Sequence, residues 1–368
     1  MKDAEYMRLA LQLAQKGMGF VAPNPMVGAV LIKDDRIIGQ GYHEQYGGLH
    51  AERNALANAT ESPKGAALYV TLEPCCHYGK TSPCTKAIIE SEIRRVVIGS
   101  HDPNPLMAGK GIELLRKHGI EVVDGVLKAE CDKLCEVFFH FIQTGTPYVL
   151  MKYAMTMDGK TAAYTGASKW ITGEAARRRV HEDRHQYSAV MAGIGTVLAD
   201  DPLLTCRIEG GRNPLRIICD THLCLPLSSQ IALTAKKVPT LIATSNTDLQ
   251  QHQPYIEAGC RILTVPQKEG LLDLNKLITK LGEKKVDSIL LEGGGILNWS
   301  ALQAGIVSKV QTYIAPKLFG GANEKTPVAG QGVPLPEDAF LLTNSIVTRL
   351  GEDILIESEV KPCVHRNC

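Results

Sequence analysis

The chain has 368 residues, and at about 150 residues per domain this length predicts two or three globular units. Its 40 Lys and Arg residues against 39 Asp and Glu residues give a formal net charge of +1, so no overall field attracts nucleic acid or an anionic membrane. Hydrophobic residues make up 44% and charged residues 21% of the chain, an ordinary globular composition that excludes a disordered, collagen-like or coiled-coil protein.

The start of the chain and the cysteines bear on the compartment. No apolar run approaches the roughly 18 residues of a membrane-spanning helix, and charges at Lys2, Asp3, Glu5 and Arg8 are unlike a signal peptide. We therefore expect no membrane partner and a cytoplasmic protein. In that reducing compartment the 11 cysteines are expected to be thiols or metal ligands rather than disulfides.

The first half of the chain predicts a layered α/β domain, because strand patterns alternate with helix patterns. The expected elements are a helix over 4–16, strands over 27–32 and 37–42 around a turn at 33–36, a helix from near His50, a strand over 67–72, a helix over 85–91, a strand over 95–99, a helix over 109–118 and, after Val122, helical sequence through Phe141. Gly145-Thr146-Pro147 interrupts this pattern, so we expect domains over 1–146 and 147–368.

The second half predicts another α/β domain. Strands are expected at 148–153, 189–192, 215–219, 240–243, 288–291 and 309–314, several of them followed by helices. The tail from Lys361 has no periodicity and is expected to fray.

A group of candidate metal ligands lies in the first half. His50-Ala51-Glu52 is followed by Pro74-Cys75 and by Cys84, and one imidazole with two thiolates suits zinc. Three protein ligands leave a fourth position for water, whose pKa the metal would lower, and Glu52 is placed to carry protons. H-x-E and P-C-x-x-C mark zinc nucleobase deaminases, but here the second cysteine is nine positions after the first, so an inserted loop must bulge out.

Alternative ligands lie inside that insertion, and the sequence alone leaves Cys76 and His77 open as rivals. Cys75 is preferred because it directly follows the proline. Taken singly, a buried cysteine is usually only a small apolar side chain, so the prediction depends on the combination of residues.

A glycine-rich turn in the second half is a candidate phosphate site. The strand over 288–291 leads into Glu292-Gly293-Gly294-Gly295 and then into a predicted helix, where backbone amides can approach a phosphate. Such a turn can also have a purely structural role, without binding a phosphate. No G-x-G-x-x-G follows a first strand, so a standard Rossmann domain is not supported.

The first half resembles the riboflavin-pathway pyrimidine deaminases. The resemblance is carried by Asn24-Pro25 with Val27-Gly28, by His50-Ala51-Glu52, and by the run from Thr71 to Cys84 with its long cysteine spacing. It implies a cytidine-deaminase-like three-layer domain. The positions implied to bind the pyrimidine ring and ribose phosphate are Asn24, His43, Lys80, Asp102 and Asn104. Turn-forming roles for the two asparagines and a solvated strand-end position for the histidine remain open.

The second half resembles the reductase part of the same bifunctional family. The resemblance is carried by Lys152, Thr156 to Lys160, Ser168 to Thr172, Gly195 to Pro202, Glu292 to Gly294 and Ala315 to Lys317. It implies a dihydrofolate-reductase-like α/β domain that uses NADPH. The implied cofactor contacts are Ala154, Trp170, Thr196 and Asp200, with Gly294, Gly295, Ile296, Leu297, Asn298, Trp299 and Ser300 of the glycine-rich turn and helix. The implied substrate contacts are Ser168, Arg184, Leu204, Arg207 and Glu292, with Lys152 and Asp200 as the catalytic pair.

These implied roles agree with the chemistry of reducing a ribosylamine. Opening the sugar to its imine and delivering hydride to C1 require an acid near that carbon, which Lys152 or Asp200 could supply. Arg184 and Arg207 offer planar forks for a 5′-phosphate. Two alternatives stay open: Arg184 on a solvated helix face, and Trp170 as a core residue.

The sequence therefore predicts a bifunctional enzyme of riboflavin biosynthesis, with one zinc ion in the first domain and NADPH in the second. The expected partner is a small pyrimidine ribosylamine phosphate, with no nucleic acid and no membrane, and a homo-oligomer is left open. A nucleic-acid base deaminase is disfavoured by the charge of +1 and the 5% aromatic content. The presence of Lys152 and Asp200 disfavours the alternative in which the second half only binds or regulates and does not catalyse hydride transfer.

Overall fold

The structure is a computed structural model that describes residues 2–77, 82–104, 107–322 and 325–361. The chain divides into two compact units, Met1–Gly145 and Thr146–Cys368. Lys80 and the predicted frayed tail beyond Lys361 lie outside the described residues. In the part that is described, no helix is both long enough and apolar enough to cross a membrane.

The first unit is built on one five-stranded sheet. Its elements are α1 (Lys2–Gln15), β1 (Gly28–Lys33), β2 (Arg36–Tyr42), α2 (Ala51–Ala57), β3 (Ala67–Leu72), α3 (Cys84–Glu90), β4 (Arg95–Ser100), α4 (Lys110–Lys117), β5 (Glu121–Val123), α5 (Lys128–Leu134) and α6 (Glu136–Thr144). The strand order is β2-β1-β3-β4-β5, in which β1 is antiparallel to both neighbours and β3, β4 and β5 are parallel.

Helices cover both faces of this sheet. Val97 packs with Met7 of α1 and Cys131 of α5, whereas Val96 packs on the other face with Ile88 of α3 and with α2 and α4. The two valines face opposite ways because successive side chains of a strand alternate. The result is a helix–sheet–helix arrangement of three layers, as the sequence predicts.

The second unit is built on a nine-stranded sheet. Its elements are β6 (Tyr148–Thr156), α7 (Glu174–Gln186), β7 (Ala189–Gly193), α8 (Ile194–Asp200), β8 (Leu215–Cys219), α9 (Gln230–Leu233), β9 (Thr240–Thr244), α10 (Leu249–Ala258), β10 (Arg261–Thr264), β11 (Gln267–Lys268), β12 (Leu271–Leu272), α11 (Leu274–Glu283), β13 (Ser288–Leu291), α12 (Gly295–Gln303), β14 (Lys309–Ala315), a 3-10 turn (Pro336–Asp338), β15 (Leu342–Leu350) and β16 (Asp353–Val360).

The strand order in this sheet is β10-β9-β8-β7-β13-β6-β14-β16-β15. The strands from β10 to β14 are parallel, and β16 and β15 complete the sheet as an antiparallel pair. Met191 of β7 packs on one face with Leu277 of α11, and Val190 packs on the other with Ile231 of α9. Polar side chains at the carboxyl ends of β6, β7 and β13 therefore gather at one edge, which is where ligands bind in open parallel sheets.

Arg216 of β8 is fully buried, at 0% exposure. Its guanidinium donates hydrogen bonds to the hydroxyl groups of Thr234 and Thr240 and to the carbonyl oxygens of Leu203, Ile231 and Val238. Burial lowers its pKa to about 10. These bonds join β8 to α9 and to the segment that enters the loop at Leu204.

Two local predictions need correction. The helical sequence expected after Val122 and through Phe141 begins only at Lys128, because β5 extends to Val123 and pairs with β4 at the sheet edge, and it forms two helices that meet at Cys135. The second unit also contains the β15–β16 hairpin, which the sequence pattern did not indicate. By contrast, the β1–β2 hairpin is confirmed, with Asp34 and Asp35 at positive φ as a tight primed turn requires.

Candidate metal centre and candidate reductase site

Three predicted metal ligands meet in the first unit. His50 immediately precedes α2, Cys75 follows β3, and Cys84 begins α3. The Nδ1 atom of His50 lies 3.5 Å from the Sγ of Cys75 and 3.4 Å from the Sγ of Cys84. All three ligand atoms lie within 4.8 Å of one another.

These distances fit a tetrahedral zinc ion. Bonds of about 2.0 Å to nitrogen and 2.3 Å to sulfur at tetrahedral angles place the two ligand atoms about 3.5 Å apart. Neither rival from the sequence joins the group, since the Nδ1 of His77 instead lies 2.9 Å from the Sδ of Met107 and Cys76 is not among the clustered side chains. The cysteine preferred from the sequence is thus the one that the fold brings to His50.

Burial and shared hydrogen bonds set the charges of this cluster. Hydrogen bonds from Cys84 and His50 stabilise the thiolate of Cys75 and lower its pKa to about 4, while the pKa of Cys84 is raised by its bond with Cys75 and by burial. Glu52 is only 3% exposed, and burial raises its pKa to about 7. A carboxyl group with that pKa can take up and release a proton near neutral pH.

Gly41 of β2 sets how closely α2 approaches the sheet. A Cβ atom at Gly41 would lie 2.3 Å from the backbone nitrogen of Ala55 and 2.5 Å from the carbonyl oxygen of Ala51. Any side chain there would push α2 outward, and with it His50 and Glu52 at its start. Gly41 is not among the residues predicted from the sequence, although a glycine inside a strand indicates a close backbone approach.

Two of the predicted pyrimidine-binding residues bind each other beside the ligand cluster. The Nδ2 of Asn24 lies 3.1 Å from the Nε2 of His43, whose Nδ1 lies 2.9 Å from the carbonyl oxygen of Leu49. Burial lowers the pKa of His43, so its neutral ring accepts from Asn24 and donates to Leu49. His43 is buried, with its ring centroid 5.4 Å from that of His50, so a solvated strand-end position is wrong.

Two further predicted pyrimidine-binding residues, Asp102 and Asn104, follow β4. The backbone nitrogen of Asn104 donates to the Oδ1 of Asp102 at 2.9 Å, and burial raises the pKa of Asp102.

Glu73 is a buried carboxylate that was not among the predicted site residues. It accepts hydrogen bonds from the backbone nitrogens of Gly109 at 3.1 Å and Gly111 at 3.0 Å, and a longer one from Asp102 at 3.4 Å. It therefore ties the start of α4 and the segment of Asp102 to the loop that carries Cys75. The signal in the sequence that could have identified Glu73 is its position directly between a buried strand and Pro74-Cys75.

In the second unit, Lys152, Glu292 and Arg184 form a largely buried ionic group, with side chains only 10% to 16% exposed. Arg184 of α7 grips Glu292 with two bonds, Nε to Oε1 at 2.6 Å and Nη2 to Oε2 at 2.9 Å. The Nζ of Lys152 lies 3.9 Å from the same carboxylate. Burial alone would raise the pKa of Glu292, but Arg184 and Lys152 outweigh it and hold that pKa at about 2. Arg184 is therefore not on a solvated helix face.

Asp200 lies at the end of α8 and contacts the segment of Ser168. The Ser168 hydroxyl donates to the Oδ1 of Asp200 at 2.9 Å, and the Lys169 ammonium lies 3.3 Å from the carbonyl oxygen of Asp200. Trp170 is 60% exposed, with the Arg177 guanidinium 4.7 Å from its ring centroid, so the alternative of a core tryptophan is wrong. An exposed ring beside these residues is available to a ligand.

The predicted substrate residues after α8 lie on a constrained loop. Leu204 is buried at φ 50°, a left-handed conformation that is unusual for a branched side chain. Arg184 donates to the carbonyl oxygen of Thr205 at 3.1 Å, and Arg207 donates to the Nε2 of His181 at 3.2 Å. Burial and the charges of Arg184 and Arg207 lower the pKa of His181 to about 4, so its ring is neutral and can accept.

The glycine-rich turn begins α12 as predicted. A Cβ at Gly294 would lie 3.2 Å from the Oγ1 of Thr196, and one at Gly295 would lie 2.8 Å from the carbonyl oxygen of Thr326. The turn is thus a close-packed cradle at the positive end of a nine-residue helix, and its donors fit a phosphate-bearing cofactor.

Several residues that are predicted to contact the cofactor use their side chains for contacts within the protein. Asn298 donates to the carbonyl oxygen of Pro327 at 2.8 Å, Ser300 donates to that of Ile296 at 2.9 Å, and Trp299 packs edge-on against Phe340. Leu297 packs on the core of the sheet. Ala154 of β6 packs beneath α7. Contacts from most of these positions would therefore come from the backbone.

The fold and the two side-chain groups define a class of protein: a zinc-type deaminase unit and an α/β reductase unit in one chain. Residues 1–100 match the cytidine and deoxycytidylate deaminase zinc-binding region, and residues 147–356 match the RibD C-terminal domain.

Relatives and solved structures agree with this class over nearly the whole chain. The riboflavin biosynthesis protein RibD of Actinobacillus pleuropneumoniae is 52% identical over 97% of this chain and 95% of its own, and that of Escherichia coli is 40% identical over 87% and 89%. The RibD structure from Acinetobacter baumannii has a TM-score of 0.87 at 35% identity and covers 98% of this chain and 99% of its own. The chain belongs to the RibD family of riboflavin biosynthesis proteins.

A structure from Thermotoga maritima, described as a diaminohydroxyphosphoribosylaminopyrimidine deaminase/5-amino-6-(5-phosphoribosylamino)uracil reductase, has a TM-score of 0.84 at 39% identity and covers 98% of this chain and 99% of its own. The predicted fold class is confirmed: a cytidine-deaminase-like three-layer domain followed by a dihydrofolate-reductase-like α/β domain.

Proposed function

We propose that the chain catalyses two successive steps of riboflavin biosynthesis. The first is hydrolytic deamination of 2,5-diamino-6-ribosylamino-4(3H)-pyrimidinone 5′-phosphate by residues 1–146. The second is NADPH-dependent reduction of the product's ribosyl chain by residues 147–368, which gives 5-amino-6-ribitylaminouracil 5′-phosphate. The observation that carries this proposal is the meeting of His50, Cys75 and Cys84 beside a buried carboxyl group, in a chain that also carries a reductase unit of the RibD type.

In the deaminase step, His50, Cys75 and Cys84 would hold zinc. When bound, the ion supplies a water molecule of lowered pKa as the nucleophile. Glu52, a buried carboxyl group two residues after His50, would take up a proton from the attacking water and pass it to the pyrimidine ring and to the departing ammonia.

Asn24 and His43 have positioning roles in this proposal. Because the amide nitrogen of Asn24 donates to His43, the orientation of its amide group is fixed before the pyrimidine arrives. The pyrimidine ring and ribose phosphate are placed by these residues together with Lys80, Asp102 and Asn104.

In the reductase step, NADPH supplies the hydride that goes to C1 of the ribosyl group. The turn at Gly294 and Gly295, Thr196 and the exposed ring of Trp170 would hold the cofactor. Lys152 and Asp200 are the candidate proton donors for the ring oxygen as the sugar opens.

Phosphate recognition in the reductase is assigned to Arg207. The guanidinium of Arg184 already donates two hydrogen bonds to Glu292. The role of Arg184 is therefore to fix the carboxylate of Glu292, which faces the substrate. Arg207 is exposed, and one edge of its guanidinium is held by His181.

A small pyrimidine ribosylamine phosphate is the proposed partner, with no nucleic acid and no membrane, in the cytoplasm. A net charge of +1 and a 5% aromatic content support the exclusion of nucleic acid. The free thiols among the described residues agree with a reducing compartment.

The test supplies the diaminopyrimidinone phosphate and measures ammonia release, then adds NADPH and follows its absorbance. We expect one ammonia per substrate and then one NADPH oxidised per aminouracil. Asp200→Asn should leave deamination intact and slow NADPH oxidation. Ammonia release without NADPH oxidation would support the alternative in which the second unit only binds.

A further inference from the structure

Tyr313 of β14 lies against Lys152 of β6, two strands that are neighbours in the sheet. In their parallel register Lys152 pairs with Gln311 and Tyr313 pairs with Ala154, so Lys152 and Tyr313 lie two positions apart on the same face. The ammonium of Lys152 is 5.6 Å from the centroid of the Tyr313 ring, within the range of a cation–π contact.

The ring of Tyr313 is fixed by its surroundings. The side chain is only 1% exposed and packs with Val180 of α7 and Leu355 of β16. Its hydroxyl lies 3.5 Å from the Oδ2 of Asp183, which Arg179 of α7 holds by a bond of 3.1 Å. The ring is therefore a rigid surface below Lys152.

Lys152 thus lies between two partners that differ in kind. Glu292 follows β13 on one side of β6, and Tyr313 belongs to β14 on the other. The carboxylate attracts the ammonium from 3.9 Å, while the ring limits where the ammonium can move on the opposite side.

We propose that Tyr313 is a positioning residue for reduction, which holds the ammonium of Lys152 at the substrate-facing edge of the sheet and favours its charged form. This inference rests on the proposed catalytic role of Lys152. Tyr313 itself touches neither substrate nor cofactor in this account.

The charged and titratable groups around Lys152 act in both directions. Burial lowers the pKa of Lys152, and the charge of Arg184 acts in the same direction, whereas the charges of Glu292 and Asp183 raise it. Attraction to the face of Tyr313 also favours the ammonium. Removing the ring removes one of the favourable contributions, so Lys152 should lose its proton at lower pH.

The experiment compares Tyr313→Met, which removes the ring but fills much of its volume, with Tyr313→Phe, which keeps the ring. For Tyr313→Met we expect the reductase kcat to fall about tenfold, with KM for both substrates within about twofold of wild type. The basic limb of its kcat against pH should move to lower pH by about half a unit to one unit. Tyr313→Phe should keep the wild-type limb and most of the rate.

NADPH binding followed by fluorescence shows whether each variant folds, and Tyr313→Leu replaces the methionine variant if that one does not bind. A phenylalanine variant as slow as the methionine variant, or a raised KM with an unmoved pH limb, would overturn the inference. The variant Lys152→Met separates the proposed catalytic role of Lys152 from the proposed positioning role of Tyr313. If it reduces substrate at the wild-type rate, the catalytic role of Lys152 fails; if it is inactive while Tyr313→Met behaves as wild type, only the role of Tyr313 fails.

Discussion

The metal centre and the reductase site are constructed in different ways. The three candidate ligands lie between His50 and Cys84, and each would bind the ion directly. The reductase site collects side chains from Lys152 to Glu292, and several of them bind each other, as Arg184 binds Glu292. Metal coordination restricts residue types and spacing, so the first site is visible in the sequence. Mutual positioning by charges does not dictate a fixed spacing, so the residues of the second site were named in the sequence only through the family resemblance.

This difference predicts all-or-none effects at the metal centre and graded effects at the reductase site. The sharpest comparison is between two cysteines, Cys84 in the ligand cluster and Cys76 beside it. Cys84→Ser should lose zinc and slow deamination by a factor of about 1,000 or more, because it removes a thiolate from the ion's coordination sphere. Zinc content by elemental analysis and ammonia release check this.

Cys76→Ser is the matched control, since Cys76 lies beside Cys75 but outside the ligand cluster. It should keep zinc and activity. Both variants should still oxidise NADPH with the aminouracil substrate. Zinc loss from Cys76→Ser, and not from Cys84→Ser, would contradict the assignment.

Glu52→Gln separates metal binding from proton transfer. The amide cannot carry a proton from water to the leaving amine, so deamination should fall by about 100-fold to 10,000-fold while the zinc content stays at one per chain. Ammonia release and metal analysis on the same sample measure both. An active variant would remove Glu52 from the proton path.

Glu292→Gln is a test of the ionic group in the reductase. It leaves the charges of Arg184 and Lys152 buried without their carboxylate, so unfolding of the second unit should require about 3 kcal/mol less and reduction should be at least tenfold slower. Both tryptophans, Trp170 and Trp299, lie in this unit, so their fluorescence reports its unfolding in urea.

The control for that variant is Glu182→Gln, which removes an exposed partner of Arg178 on the same helix as Arg184. It should change stability by less than about 1 kcal/mol. Equal losses in the two glutamate variants would show that the buried group has no special role.

The smallest expected effect concerns pH. Because the folded pKa of His181 is lowered to about 4 from its usual 6.5, the stability that its neutral form contributes is complete above pH 6.5 and is lost as pH falls toward 4. Replacement by glutamine removes this titration and keeps an acceptor for Arg207. We expect the urea midpoint of wild type to fall more steeply than that of His181→Gln between pH 6.5 and 4.

The comparison with the variant is needed because Asp183 titrates with the opposite sign. Burial raises its pKa to about 6, so its contribution is largest at low pH and is lost as pH rises through 6. Asp183 is present in both wild type and His181→Gln, so its contribution to stability cancels when the two pH curves are subtracted. Parallel pH curves for wild type and His181→Gln would contradict a lowered pKa for His181.

Much of the fold follows from the sequence pattern, and the bounds of β3, β8 and β13 agree with the predicted strands to the residue. Buried strands were recognisable because their apolar runs are bounded by turn residues. The strand β15 was not, since nearly all of its residues are exposed and no buried face marks it. Its place in the sheet depends on pairing with β16, which is a tertiary contact.

The site residues also divide into those that could be identified from the sequence and those that could not. The metal ligands and Glu52 were identified because zinc chemistry limits which residues can serve. Glu73 and Tyr313 were missed, because a carboxylate that binds backbone amides and a ring that supports a lysine are ordinary residues until the fold brings their partners together.

The buried guanidinium of Arg216 also constrains how β8 can assemble. A slip of one residue in the pairing of this strand would turn Arg216 toward the opposite layer, where Ile217 now packs among Leu277 and Ile289 and where only hydrocarbon would surround the charge. A misaligned strand is therefore penalised far more heavily than an all-aliphatic strand would be. Arg216 therefore helps to specify the register of β8 against β7 and β9.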